Sequence, residues 1–163
     1  MANEVNLIDC IEQETGKQIV MRGDTYVYFD TKKDVESNVI EKAIISKQEK
    51  ELENSKQDKS NEIKNDFLKQ EKENVLIGDV EYQGGYDSAI KLDSAKRLSE
   101  SAGLETVVFY DAENAGHELS LTDANIIVLQ IAGKYQKDFG KYQTLKVDIA
   151  KATTVNEVEI IKW

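Results

Sequence analysis

The chain contains no proline, one cysteine, one histidine and one tryptophan among its 163 residues. A single Cys10 excludes an internal disulfide, which fits synthesis in a reducing cytoplasm. One histidine and one distant cysteine cannot supply the ligands of a usual zinc site. The absence of proline favours a chain built from helices and short hairpins.

Long hydrophobic runs are also missing from the sequence. No apolar run approaches the roughly 18 residues that a membrane-spanning helix needs. The first residues, Met-Ala-Asn-Glu, lack the basic start and apolar core of a secretory signal. The sequence therefore predicts neither membrane insertion nor export by the secretory route.

Positive charge is scarce relative to negative charge. The formal net charge is −10 at pH 7, and the lysines form no cluster outside a charge-balanced segment. Because neutralisation of phosphates supplies most non-specific affinity for nucleic acids, this composition argues against a DNA or RNA partner.

The residues that are present predict an α+β fold in three parts, beginning with a docking module at residues 1–30. We predict a β-meander in this module. It comprises an apolar stretch containing Val5, Leu7, Ile8 and Ile11 and two strands at 18–22 and 25–30, with a turn at Gly23-Asp24 between the two strands. Three short strands bury little apolar surface, so such a module needs a partner. The predicted partner-docking residues are Val20, Tyr26, Tyr28 and Phe29.

Residues 31–74 predict one long helix that serves as a spacer. Thr31 to Asp34 has the spacing of a capping box, and no glycine or proline follows before residue 75. Residues 46–62 offer only Leu52 as an apolar position, which is too few for a coiled coil. We therefore expect a polar helix that makes few contacts along its middle.

Residues 75–163 predict a C-terminal α+β domain with one β-hairpin and about four helices. An apolar strand begins at Val75, and a helix at 87–102 ends before Gly103. Strands at 106–110 and 118–121 form the hairpin. The remaining helices are expected from a cap at Thr122 to about residue 138, from 139 to 152, and from a capping box at 154–157 to Trp163.

The aliphatic residues near 127 predict the buried centre of this domain. The apolar side of the last helix is expected to lay Trp163 onto the helix around Ile127 to Ile131. The predicted core residues are Phe109, Ile127, Ile131 and Trp163.

Residues 80–163 also carry several loose motifs in a fixed order. Gly85-Tyr86-Asp87 opens the series, an apolar strand then turns at Asp111-x-x-Asn114, and Leu121-Thr122 begins a long helix. A Thr-hxxh-Trp pattern, where h is apolar, closes it at Trp163. In this order and spacing, the segment resembles a small domain of unknown function that recurs at the C-terminal end of bacteriophage tail, tail-fibre and prophage proteins.

The resemblance implies a virion context and implies no reaction. It covers about half of the chain. Phe109 and Tyr110 stand where family members carry tryptophan before the Asp-Asn turn, which is a conservative difference that leaves the expected fold unchanged.

Motifs that could support catalysis or metal binding are incomplete. Asp111 to Gly116 begins like a calcium loop, but Ala115 and Thr122 occupy positions that need oxygen ligands. His117-Glu118 lacks the second histidine of a zinc-protease helix. Arg22-Gly23-Asp24 is an integrin-type tripeptide that a hairpin turn explains equally well. No phosphate-binding glycine loop or acid-base set is present, so we expect no enzyme activity, cofactor, metal or small-molecule substrate.

These observations predict a non-enzymatic structural component of a bacteriophage tail, baseplate or tail fibre, or of a phage-tail-like particle. The chain would be oligomeric in the particle and would bridge neighbouring tail or baseplate proteins. Two alternatives remain open: a tail-fibre assembly chaperone that leaves the finished particle, and a host-surface recognition module whose exposed tyrosines contact a glycan.

Overall fold

The computed structural model describes residues 6–163 and confirms the α+β class. This part of the chain has five helices and three small antiparallel hairpins and is about 61% helical. Val5, assigned to the first predicted strand, lies outside the described residues. In chain order the elements are α1 (Leu7–Thr15), β1 (Ile19–Arg22), β2 (Thr25–Tyr28), α2 (Ser37–Glu71), β3 (Val75–Ile77), β4 (Val80–Tyr82), α3 (Tyr86–Ser101), β5 (Thr106–Tyr110), β6 (Gly116–Ser120), α4 (Leu121–Lys151) and α5 (Val155–Glu159).

A hairpin followed by a helix occurs three times within residues 6–163. The hairpins β1-β2, β3-β4 and β5-β6 precede α2, α3 and α4. The first two turn through Gly-Asp pairs, in which Gly23 and Gly78 have φ of 63° and 64°. The aspartates have negative φ, so these are type II′ turns, whose first central residue is glycine. The sequence predicted the first turn but not the second.

The chain divides into two compact units whose boundaries fall inside helices. The first unit comprises residues up to Asn61 together with Asp148–Ile161, and the second comprises Glu62–Val147 with Lys162–Trp163. These boundaries do not coincide with the changes in composition near residues 30 and 74, because α2 and α4 each contribute residues to both units.

The first unit begins with a helix rather than the predicted strand. Asn6 caps α1 by accepting a hydrogen bond from the Ile8 N–H at 3.0 Å, and Gly16 ends the helix. Leu7, Ile8 and Ile11 had been assigned to a strand, but together with Cys10 they form a helical apolar face. This face packs with the hairpin and the start of α2 in a core whose buried members are Cys10, Ile11, Ile19, Val35 and Ala43.

The segment before α2 extends the β1-β2 hairpin instead of capping the helix. The Tyr28 N–H donates to the Lys33 carbonyl at 3.0 Å, and the Val35 N–H donates to the Tyr26 carbonyl at 2.8 Å. The capping box predicted at Thr31 is therefore wrong, because residues 33–35 pair with β2 and the helix starts only at Ser37.

The middle of α2 makes more contacts than its polar sequence predicts. Half-buried residues recur about every turn between residues 46 and 60. Lys50 Nζ donates to Gln13 Oε1 and lies 3.9 Å from Cys10 Sγ, while Lys56 Nζ donates to the Ala150 carbonyl at 3.2 Å. The middle of this helix is thus partly covered, beyond the few contacts that the sequence predicts, since long lysine and glutamine side chains can cover neighbouring elements with their methylene groups. The spacer role itself stays a prediction.

The second unit is built around α4. The hairpin β3-β4 replaces the single predicted strand at 75, whereas α3 and the hairpin β5-β6 agree with the predicted helix and hairpin. The buried members of its core come from β4, α3, β5 and α4 and are Tyr82, Ala89, Leu92, Val107, Ala124, Ile127 and Ile131.

Helix α4 is continuous, so the break predicted near residue 138 is wrong. An ion pair between Lys134 and Asp138 at 2.9 Å joins successive turns across that point. The cap is Ser120 rather than Thr122, because Ser120 Oγ accepts from the Asp123 N–H at 3.0 Å. Thr154 caps α5 as predicted, but the helix ends at Glu159, before Trp163.

Candidate interaction surfaces

The β1-β2 hairpin places the four predicted docking residues in different environments. Tyr26 and Tyr28 are half-buried and pack against the first-unit core. Val20 is also half-buried, whereas Phe29 remains 50% exposed. The tyrosines therefore help to hold the hairpin on α1, and Phe29 is the predicted docking residue with most surface left for a partner.

A cation lies over the Phe29 ring, and the hairpin carries a second exposed apolar side chain elsewhere. Lys32 Nζ lies 4.2 Å from the centre of the Phe29 ring, within the range of a cation-π contact. Met21, which the sequence did not single out, is 54% exposed at the opposite end of the strand pair. Flexible methionine and aromatic side chains are typical of protein-binding surfaces.

The second unit contains an aromatic cluster that the sequence analysis missed. Phe67 stacks on Tyr142 with ring centroids 4.9 Å apart, and its ring also lies 6.0 Å from Phe139. Tyr135 lies 5.1 Å from Tyr86 and 5.8 Å from Phe139. We call this group, completed by Trp163, the aromatic cluster: Phe67, Tyr86, Tyr135, Phe139, Tyr142 and Trp163.

Trp163 belongs to this cluster and not to the core around Ile127 and Ile131. Its ring centre lies 6.2 Å from that of Phe67, and Lys141 Nζ lies 4.8 Å from its centroid. The indole is half-buried, so the predicted packing on Ile127 to Ile131 is wrong. Ile127 and Ile131 are buried, and Phe109 packs against the same core.

The aromatic cluster reaches the surface at two rings. Tyr86 is 47% exposed and Phe139 is 38% exposed. Lysines surround it, with Lys146 Nζ 5.4 Å from the Tyr142 ring and Lys134 Nζ donating to the Gln70 carbonyl at 2.6 Å. Partly exposed rings with polar neighbours can bind a protein side chain or the apolar face of a sugar, since each presents apolar area beside hydrogen-bonding groups.

The calcium-like segment after β5 is organised as a closed turn. Asp111 Oδ1 accepts hydrogen bonds from the Glu113 and Ala115 N–H groups at 2.9 and 2.8 Å. Its other oxygen, Oδ2, lies 2.8 Å from His117 Nε2. Both carboxylate oxygens are therefore engaged within the protein, and no metal-binding group of three or more acidic, histidine or cysteine residues occurs in residues 6–163.

These contacts also determine how Asp111 and its neighbour Tyr82 titrate. The hydrogen bond from His117, followed by that from the Ala115 N–H, lowers the pKa of the Asp111 carboxyl below its usual value. Burial, and then the negative charge of Asp111, raises the pKa of the Tyr82 hydroxyl. Neither direction brings a group toward neutral pH, where a general acid or base would function.

A shallow polar groove of about 320 Å³ lies between α3 and the start of α4. Lys96 Nζ, on its wall, donates to Asn125 Oδ1 at 2.8 Å and lies 3.6 Å from Asp93 Oδ1. The Lys96 cation is therefore already paired with side chains of the protein.

The remaining sequence motifs have structural explanations. Gly23 and Asp24 form the turn between β1 and β2, which accounts for the Arg-Gly-Asp tripeptide. Across residues 6–163, no helix combines the length and hydrophobicity needed to cross a membrane.

Comparison with known proteins gave no match. No family model matches the chain, and no curated protein or solved structure is similar to it at a significant level.

Proposed function

We propose that this protein is a non-enzymatic structural component of a bacteriophage tail, baseplate or tail fibre, or of a related phage-tail-like particle, where it bridges neighbouring subunits. The observation that carries the proposal is exposed apolar surface on each of the two compact units. Met21 and Phe29 provide it on the first unit, and Tyr86 and Phe139 provide it on the second. Exposed apolar groups of this kind are typical of protein interfaces.

The virion context of the proposal comes from the resemblance of residues 80–163 to a phage-tail domain. The proposed partners are other tail or baseplate proteins, with no nucleic acid, membrane insertion or small-molecule substrate. Synthesis in the bacterial cytoplasm followed by incorporation into the tail agrees with the single free Cys10.

The first test is the composition of purified particles. Particles would be induced in the bacterium that carries the gene, separated on a density gradient and digested for mass spectrometry. A structural component should remain at a constant ratio to the major tail proteins through purification. If the chain were found only in the soluble fraction, without tail proteins, the proposal would be wrong.

The same experiment distinguishes the tail-fibre assembly chaperone. A chaperone would purify with fibre intermediates in the soluble fraction and would be missing from finished particles. The half-exposed Phe29 and Met21 suit transient binding as well as permanent binding, so the location of the protein after assembly separates the two functions.

A matched pair of variants tests the docking role of the hairpin. Phe29→Glu places a charge on the proposed docking surface, and Ile160→Glu changes a 76% exposed residue of the same unit that is not part of the hairpin. We expect Phe29→Glu alone to reduce incorporation into particles, with both variants folded by circular dichroism. Equal incorporation of both variants would contradict docking through Phe29.

The aromatic cluster favours host-surface recognition as a second candidate function. Tyr86 presents nearly half of its surface beside Tyr135, and aromatic rings can pack against sugars while their hydroxyls form hydrogen bonds. A glycan array with the purified chain tests this candidate. Binding that disappears in Tyr86→Ala but persists in Leu104→Ala, another exposed apolar site, would support it.

A further inference from the structure

One side of α4 forms an uncovered strip of apolar residues, glycines and one uncharged polar residue. Three of its members are large and exposed, with Ile126 at 45%, Leu129 at 63% and Val147 at 48%. Alternating steps of three and four residues, and a final step of seven, keep the strip on one face of the helix. We call this strip the α4 seam: Ile126, Leu129, Gly133, Gln136, Gly140 and Val147.

The α4 seam contains no ionisable residue over 22 positions, although 32% of the chain is charged and its net charge is −10. The acidic residue in the middle of the helix, Asp138, is paired with Lys134 and lies off the seam. Two copies of an acidic protein repel each other over most of their surfaces, and this face permits close approach without opposing like charges.

The two glycines of the seam are not required by any contact inside the described chain. A Cβ atom added at Gly133 or Gly140 would meet nothing within 4 Å, and neither residue has a positive φ. Glycine inside a helix is destabilising relative to alanine. Small residues at seven-residue spacing on an exposed helix face allow another helix backbone to approach closely.

We propose that the α4 seam binds the α4 seam of a second copy in an antiparallel, two-fold pair. The seam has two large apolar residues near its first end, two glycines in its middle and one apolar residue at its last end, so in an antiparallel pair its large residues can face small or uncharged residues of the second copy. In the antiparallel register that places Leu129 opposite Gly140 of the second copy, each leucine fills the space over a glycine.

Charge beside the seam favours the antiparallel direction. Lys137 and Lys146 flank the strip. In a parallel pair, each of these lysines would lie directly opposite the same lysine of the second copy. The antiparallel register brings Lys137 level with Ala132 and Lys146 level with Asp123 of the second copy. No two lysines are then level across the pair.

The size of the seam sets the expected strength of the dimer. Twenty-two helical residues extend over roughly 33 Å, so one helix pair lies at the small end of specific protein interfaces. We expect a Kd on the order of 10 μM, with monomers in dilute solution. This association is independent of the proposed phage function and would occur in the purified protein alone.

Sedimentation equilibrium of the full chain tests the proposal between about 1 and 200 μM, a range that brackets this Kd. Leu129→Glu should weaken the dimer at least about tenfold, because it buries a charge at the contact between Leu129 and Gly140 of the second copy. Leu98→Glu, at a 72% exposed site on α3, should leave the dimer unchanged. A chain that stays monomeric over this range, or equal association of both variants, would overturn the proposal.

Cysteine pairs test the direction of the helices in a Cys10→Ser background. A mixture of Leu129→Cys and Gly140→Cys chains should form a mixed disulfide under mild oxidation, while each variant alone should crosslink poorly. Efficient crosslinking of either variant with itself would indicate a different register and would contradict the antiparallel pair. Gly140→Leu offers a further check, since it should abolish the dimer without lowering the monomer Tm.

Discussion

At the scale of single residues, Asp111 shows how one side chain can organise a hairpin connection. It accepts two backbone N–H groups of its own turn and also contacts His117. Aspartate is common in tight turns because its short carboxylate reaches N–H groups two or more residues ahead. The calcium-like appearance of this segment therefore arises from turn chemistry.

The lowered pKa of Asp111 predicts an acid-dependent loss of stability. A carboxyl with a depressed folded-state pKa stabilises the protein above its unfolded-state pKa, and this stabilisation is lost as pH falls through the folded-state pKa. Asp111→Asn should therefore lower the Tm more at pH 7 than at about pH 2, because the stabilisation from the ionised carboxylate shrinks as the pH falls below the unfolded-state pKa of about 3.9. Thermal melts at both pH values measure this difference.

Glu113→Gln is the matched control for this prediction. It removes the same charge from the same turn, but the Glu113 side chain is exposed and contributes its backbone N–H rather than a carboxylate to the turn. A similar Tm loss in both variants, or a loss independent of pH in Asp111→Asn, would contradict the role assigned to the Asp111 carboxylate.

Gly84 is the residue at which an added methyl group should be most damaging. A Cβ there would lie 1.9 Å from the Glu73 carbonyl oxygen, which belongs to the backbone and cannot rotate away. Gly84→Ala should destabilise the second unit by about 3 kcal/mol or more, as expected for overpacking against backbone. Chemical denaturation of the purified variant measures the change.

Gly133→Ala provides the contrasting glycine substitution. Its Cβ would meet nothing, so this helical site should gain about 0.5 to 1 kcal/mol from the better helix propensity of alanine. Both variants should be compared at low protein concentration to keep the chain monomeric. Loss of stability in Gly133→Ala together with a neutral Gly84→Ala would reverse the expected order.

At the scale of elements, the caps of the helices were predicted with mixed success. Thr154 caps α5 by accepting from the Glu157 N–H at 3.2 Å, while Glu157 Oε2 accepts from the Thr153 N–H at 2.7 Å. This arrangement agrees with the predicted capping box. The similar pattern at Thr31 fails, because hydrogen bonds to β2 hold residues 33–35 in an extended conformation.

Removal of the α5 cap should cause a moderate loss of stability. Thr154→Ala leaves the Glu157 N–H without its acceptor and should cost about 1 kcal/mol. Thr154→Ser keeps a hydroxyl and should retain most of the stability. Urea unfolding of the three proteins gives the ranking, and equal destabilisation by alanine and serine would show that the hydroxyl does not act as the cap.

At the scale of the whole molecule, segments distant in sequence complete both compact units. Residues 148–161 join the first unit, and Trp163 joins the second unit beside Phe67. The polar helix α2 thus carries an apolar position, Phe67, that is 7% exposed and central to the aromatic cluster.

Phe67→Ala should report on the whole aromatic cluster. Truncation of a buried phenylalanine typically costs about 3 to 5 kcal/mol. Because Trp163 is the only tryptophan, its fluorescence should also shift toward the wavelength of hydrated indole in the folded variant. Leu68→Ala, at the adjacent 39% exposed residue, should change both quantities much less. An unchanged emission spectrum in Phe67→Ala would contradict the contact between Phe67 and Trp163.

The sequence by itself determined the α+β class, the Gly23-Asp24 turn, helix α3, the hairpin β5-β6 and the cap at Thr154. Each depends on residues close together in the chain, where periodicity, glycine and side-chain caps act directly. The spacing of Tyr135, Phe139 and Tyr142 did not lead to a prediction, because a helix break was expected near residue 138 and their stacking partners lie on other elements.

Only the tertiary structure decided the features that depend on distant residues. Leu7 to Ile11 could pair as a strand or pack as a helix, and contact with the β1-β2 hairpin favours the helix. The continuity of α4, the covered middle of α2 and the position of Trp163 likewise depend on partners many residues away. Short-range patterns do not specify such contacts, because burial against another element can override local preference.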